Sequence, residues 1–86
     1  MTQPIDVVEM FKQAAFEVDH RRLPELRSET VIATLGMDSV AVMELVSYFE
    51  EKLSVRIPDE ELSRIKTVRD LRDAIQRLLP DKAFAA

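Results

Sequence analysis

The 86-residue chain contains no cysteine, which excludes a disulfide scaffold, a thiolate metal centre and a cysteine nucleophile. Its one histidine, His20, excludes a multi-histidine metal site. One glycine is too few for an all-β chain of many tight turns. No apolar run approaches the roughly 18 residues that cross a bilayer, so no membrane insertion is expected. The start, Met1-Thr2-Gln3-Pro4-Ile5-Asp6, lacks the basic segment and apolar core of a secretory signal. A cytoplasmic protein is therefore expected, and Met1 with the short tails favours a freestanding chain.

Hydrophobic residues make up 47% of the chain and charged residues 33%, a globular composition that fits one small domain over residues 1–86. The net charge of −4 argues against a nucleic-acid partner, which needs a basic face. Charge is also unevenly placed. Residues 38–61 hold seven acids against two bases, whereas residues 62–86 hold three acids against six bases. The middle of the chain is the acidic pole, and it would draw a basic partner.

Apolar spacing predicts a first helix over 4–18, from Ile5, Val8, Phe11, Ala15 and Val18, with Pro4 in its first turn. Residues 20–37 form a long connection with Pro24 and apolar anchors at Leu23, Leu26, Ile32 and Leu35. A connection of that length signals a functional loop or one pinned by its own side chains. A second helix is expected over 39–53, entered through Gly36, with Asp38 and Ser39 both suited to cap it. Its core stripe is Val42, Leu45, Val46, Phe49 and Leu53. A short third helix is expected over 59–65, after Pro58, with acids in its first turn. A fourth, over 67–79, opens on a capping-box pair, Thr67 and Asp70, and stops at Pro80. Residues 80–86 read as a frayed tail. The expected fold is all-α: a small four-helix bundle with a long first loop and a short third helix.

The second helix carries an anomaly. With its stripe turned inward, Val40, Glu44, Ser47 and Glu51 point outward, and Met43 and Glu50 lie on a flank. Isolated exposed apolar residues are ordinary, and acids commonly form a solvated face. The functional alternative is a docking surface with an apolar centre and an acidic rim. Ser39, at the mouth of this helix, is most simply an N-cap worth about 1 kcal/mol. A hydroxyl there has a second property. Free N–H groups and the positive end of the helix dipole favour a phosphate joined to it. A triad of Ser39 with His20 and an aspartate lacks an oxyanion hole and a cleft, so no catalytic residue and no metal ligand is assigned.

Leu35-Gly36-Met37-Asp38-Ser39-Val40 resembles the Leu-Gly-x-Asp-Ser-Leu signature of acyl carrier proteins. Glu44-Leu45-Val46 and Phe49-Glu50-Glu51 resemble the second helix of that family. Ile57-Pro58-Asp59-Glu60-Glu61 resembles its third-helix entry, and Ile65-Lys66-Thr67-Val68 its link to the last helix. The resemblance implies a cofactor-binding pair, Asp38 and Ser39, with Ser39 the attachment point of 4′-phosphopantetheine. A separate phosphopantetheinyl transferase would supply that arm from coenzyme A with Mg²⁺. The reactive sulfur missing from the chain would then belong to the prosthetic group. The protein would be a carrier and no enzyme. Its acyl-loading and acyl-processing partners would bring basic patches to Val40, Met43, Glu44, Ser47, Glu50 and Glu51. A monomer is expected.

Val40 replaces the usual leucine, Ala41 stands where many members have an acid, and Lys52 and Arg56 stand where acids are frequent. These departures point to a specialised carrier in a fatty-acid, polyketide or related pathway. The alternatives are a freestanding peptidyl or aminoacyl carrier and an acidic helical interaction module with an unmodified Ser39.

Overall fold

The computed structural model describes residues 3–85. Met1 and Ala86, on which the freestanding reading and the end of the tail fall, lie outside the described residues. Four α-helices follow in order: α1 (Val7–Asp19), α2 (Ser39–Leu53), α3 (Asp59–Leu62) and α4 (Val68–Leu78), with a 3₁₀ turn (Ile32–Leu35) in the long first connection. Among the described residues, extended pairing is confined to two isolated bridges, Ile5 with Phe84 and Val31 with Thr67. The all-α bundle expected from periodicity is the observed architecture.

α1 packs against both α2 and α4. Phe11, Phe49, Val68, Leu71 and Ile75 are fully buried between them, and the Phe11 and Phe49 rings meet at 6.4 Å. Burying one such ring contributes about 2–3 kcal/mol, so this pair anchors the α1–α2 contact. On α2 the innermost row is Ala41, Leu45 and Phe49, spaced by four. Val42 and Leu53, expected in the core, flank that row and are half-buried.

Each difference from the expected boundaries has an identifiable cause. α1 starts at Val7 rather than at Pro4, because Ile5 is held extended by the tail. The Ile5 N–H donates to the Ala83 carbonyl at 2.8 Å, and the Ala85 N–H donates to the Ile5 carbonyl at 2.8 Å. Asp6 is then the cap, its carboxylate accepting the Glu9 N–H at 3.1 Å. The same pairing overturns the frayed tail: the segment through residue 85 is docked, with Phe84 packed against the core. α3 ends at Leu62 rather than at residue 65, through tighter three-residue bonds from the Arg64 and Ile65 N–H groups. The chain must be extended again at Thr67 (φ −114°, ψ 167°), the cap of α4. α4 stops at Leu78, because Pro80 keeps Leu79 out of helical geometry.

The long connection is pinned, and backbone does most of the pinning. The Ile32 N–H donates to the Lys66 carbonyl at 2.8 Å, the Val68 N–H to the Thr30 carbonyl at 3.1 Å, and the Arg69 N–H to the Ser28 carbonyl at 2.7 Å. Leu26 is buried in the core, and Leu23, Ile32 and Leu35 pack against it as anchors. The loop therefore delivers Gly36 to the mouth of α2 from a fixed base.

Candidate functional site

Gly36 closes the 3₁₀ turn with φ +75°, a left-handed conformation that strains any residue with a Cβ. Asp38 follows in extended geometry (φ −78°, ψ 174°), and its Oδ1 accepts the Ala41 N–H at 2.8 Å. Asp38 is thus the N-cap, and Ser39 is the first helical residue. Both had suited the cap from sequence. Only the residue just outside the helix has the extended backbone that turns its side chain back onto the third N–H. The Ser39 side chain is exposed, and among the described residues its hydroxyl makes no hydrogen bond. The N–H groups of Ser39 and Val40 likewise lie in the first turn, where no intrahelical acceptor exists. A free hydroxyl thus stands at the positive end of a 15-residue helix.

An open groove of about 500 Å³ runs from Ser39 along α2. Val40, Met43 and Tyr48 form its apolar wall with Val18 from α1, and Glu44 and Glu51 edge it. Val40 is 65% exposed and Met43 57%, so the apolar centre read from the helix wheel is displayed to solvent. Glu44, Ser47 and Glu51 are exposed beside it. Glu50 differs. It is half-buried, and its carboxylate accepts the Ile57 N–H at 2.7 Å. It holds the connector between α2 and α3 and lines a second groove with Met43, Val46, Ile57 and Leu62. Tyr48 and Val18 join the Ser39 groove without having been singled out for it. Tyr48 sits at the stripe edge, and the Lys52 ammonium lies 5.5 Å from its ring centre.

His20 caps the far end of α1 and packs edge-on against Phe16, with ring centres 6.0 Å apart. Leu45, Phe49 and Leu71 are buried core residues, and Ile65 packs partly buried against them. On the basic last helix, Arg77 pairs with Glu61 of α3 at 2.6 Å. That hydrogen bond holds the Glu61 carboxyl below the usual range and raises Arg77. The bundle therefore answers part of its own basic face, while the acids Glu44 and Glu51 stay exposed on α2. Arg21 was also missed: its guanidinium donates to the Gly36 carbonyl at 3.0 Å across 15 residues, a contact no local pattern signals.

Residues 11–75 match the family model described as "Phosphopantetheine attachment site". An acyl carrier protein of Helicobacter hepaticus is 48% identical over 65 residues, which is 76% of this chain and 76% of the relative. An acyl carrier protein homolog of Ureaplasma parvum is 40% identical over 48 residues, 56% of this chain and 62% of that protein. The crystal structure of an acyl carrier protein from Thermotoga maritima superposes with a TM-score of 0.79 at 35% identity, covering 87% of this chain and 88% of that one.

Proposed function

The chain belongs to the acyl carrier protein family, and from that premise we propose that it carries acyl groups on an arm joined to Ser39 and presents them to partner enzymes. Family membership implies a covalent 4′-phosphopantetheine, interaction with a transferase and with acyl-processing enzymes, and a carrying rather than catalytic role. The arm supplies the terminal thiol, which the cysteine-free chain lacks.

The observation that carries the assignment to Ser39 is its exposed, unbonded hydroxyl, left free because Asp38 takes the cap. The residues fit the group. Unpaired N–H groups and the helix dipole favour the phosphodiester, and the Val40–Met43 surface offers apolar contact where an arm leaves the serine. In the modification step the Ser39 Oγ attacks the pantetheine-side phosphorus of coenzyme A. The phosphoanhydride breaks, the adenosine bisphosphate leaves, and the serine proton passes to the transferase.

Docking follows from the α2 surface. Val40 and Met43 provide the apolar centre, Ser47 a small polar neighbour, and Glu44 and Glu51 a rim that steers basic patches on the transferase and acyl-processing enzymes. Such contacts suit a carrier, which must arrive quickly and leave again. A monomer working in the cytoplasm fits this role. No described helix is long and apolar enough to cross a membrane. The smaller Val40, the buried Ala41 and the bases Lys52 and Arg56 support a specialised pathway of fatty-acid or polyketide type.

Intact mass tests the attachment. After incubation with coenzyme A, Mg²⁺ and a promiscuous transferase, the chain gains one phosphopantetheine and Ser39→Ala gains none. An unchanged wild-type mass would favour the unmodified interaction module. Exchange into a reconstituted housekeeping fatty-acid system tests the pathway, since full turnover there would remove the specialised role.

A further inference from the structure

We infer that Arg21 is a positioning residue, whose guanidinium clamps the turn that presents Ser39 to the modifying enzyme. The inference rests on the attachment reading above. Three observations meet at this side chain. Its backbone is fixed by the end of α1: the His20 N–H donates to the Phe16 carbonyl at 2.9 Å, and the Arg21 N–H to the Ala15 carbonyl at 3.2 Å. His20 takes a left-handed conformation (φ 52°, ψ 29°), which swings the chain off the helix axis. The guanidinium then bridges two elements, with Nε donating to Asp19 Oδ2 at 2.6 Å and Nη2 to the Gly36 carbonyl at 3.0 Å. Its Nη1 also lies 3.6 Å from the place a Cβ on Gly36 would occupy, so the planar group rests against the glycine itself.

Gly36 is the one glycine in the chain and the pivot between the pinned loop and the cap at Asp38. The clamp therefore acts where the backbone is intrinsically freest. Arginine suits the task because its rigid fork donates in two directions at once, which a lysine ammonium on a flexible stem does not reproduce. Asp19 and Arg21 are both partly solvated, so the clamp biases the turn toward one geometry rather than locking it.

A turn that is competent only part of the time lowers apparent affinity by that fraction and leaves the bound reaction unchanged. Arg21→Ala is expected to raise the KM of this chain as transferase substrate about three- to tenfold, with kcat within about twofold of wild type. Arg21→Lys recovers little of this, because it restores charge without the fork. Asp19→Asn keeps the Gly36 bond and shows a smaller rise. Exchange of the Ala41 amide, which Asp38 holds, quickens in Arg21→Ala, while exchange in α4 is unchanged.

Full rescue by lysine would assign the effect to charge and overturn the clamp, as would an unchanged KM or a loss confined to kcat. The two readings fail differently. A wild type that takes no arm removes the attachment at Ser39 and the presenting role with it. A modified wild type, alongside an Arg21→Ala variant with the same KM, removes the clamp alone.

Discussion

At the start of α4 the Thr67 hydroxyl accepts the Asp70 N–H at 3.1 Å, while at the start of α2 the Ser39 hydroxyl has no partner among the described residues. The two helices begin alike, with a short hydroxyl residue near an aspartate. They differ by one position of register. Thr67 is itself the cap, and Asp70 answers by accepting the Thr67 N–H at 3.0 Å and the Lys66 N–H at 2.9 Å. At α2 the aspartate comes first and takes the cap, pushing the serine one residue into the helix. One hydroxyl is thereby built into the fold, and the other is left exposed and unbonded.

The largest expected contrast is between removing each hydroxyl. Ser39→Ala abolishes the phosphopantetheine mass gain and changes stability by less than about 0.5 kcal/mol. Thr67→Ala leaves modification intact and costs about 1–2 kcal/mol, read as a lower urea midpoint. Equal destabilisation by the two would show that Ser39 also supports the helix. Asp38→Ala combines both outcomes on one residue. It costs about 1 kcal/mol by exposing the Ala41 N–H, and it slows modification because the first turn of α2 frays.

Acid probes the start of α4 next. Asp70 is held below the usual carboxylate range, chiefly by the Lys66 N–H and then by the Thr67 N–H. Its folded-state value is thus depressed relative to the unfolded chain. The stability it contributes is present above the ordinary aspartate range and is lost as pH falls through the lowered value. Glu61, held down by the Arg77 hydrogen bond, adds to the same loss. In an acid titration Asp70→Asn is expected to be less stable than wild type at neutral pH and to show a shallower decline. A decline of unchanged slope would remove Asp70 from the acid response.

The smallest effects are expected on the α2 surface. Glu44→Lys and Glu51→Lys raise the transferase KM by about two- to fivefold at low salt, and the difference shrinks as salt is added. Glu50→Gln weakens the hold on Ile57 and shows in stability rather than in the salt dependence of docking. Identical salt behaviour of all three variants would erase the distinction drawn between Glu50 and its neighbours.

Much of the bundle was legible because its signals are local. The four-residue spacing of Phe11 and Ala15, the stripe through Leu45 and Phe49, and the Thr67–Asp70 pair each follow from the 3.6-residue turn. The candidate site was legible to the same depth, since Asp38, Ser39, Val40 and Met43 are close neighbours in sequence. Two misread parts turn on contacts that reach beyond a single helical turn. Ile5 looked helical until the tail drew it into a bridge, and Glu50 looked like a rim acid until the connector after α2 folded back onto it.

The order of residues by itself determined four helices, an acidic pole and a serine at a helix mouth, because caps, dipoles and periodicity act within a few positions of the chain. Tertiary structure decided which acids stay in water, how the long loop is stapled to α4, and that Arg21 reaches Gly36. Those outcomes depend on which backbone groups find each other once the core around Phe11 and Phe49 has closed. Packing sets those distances, and packing is a property of the assembled chain.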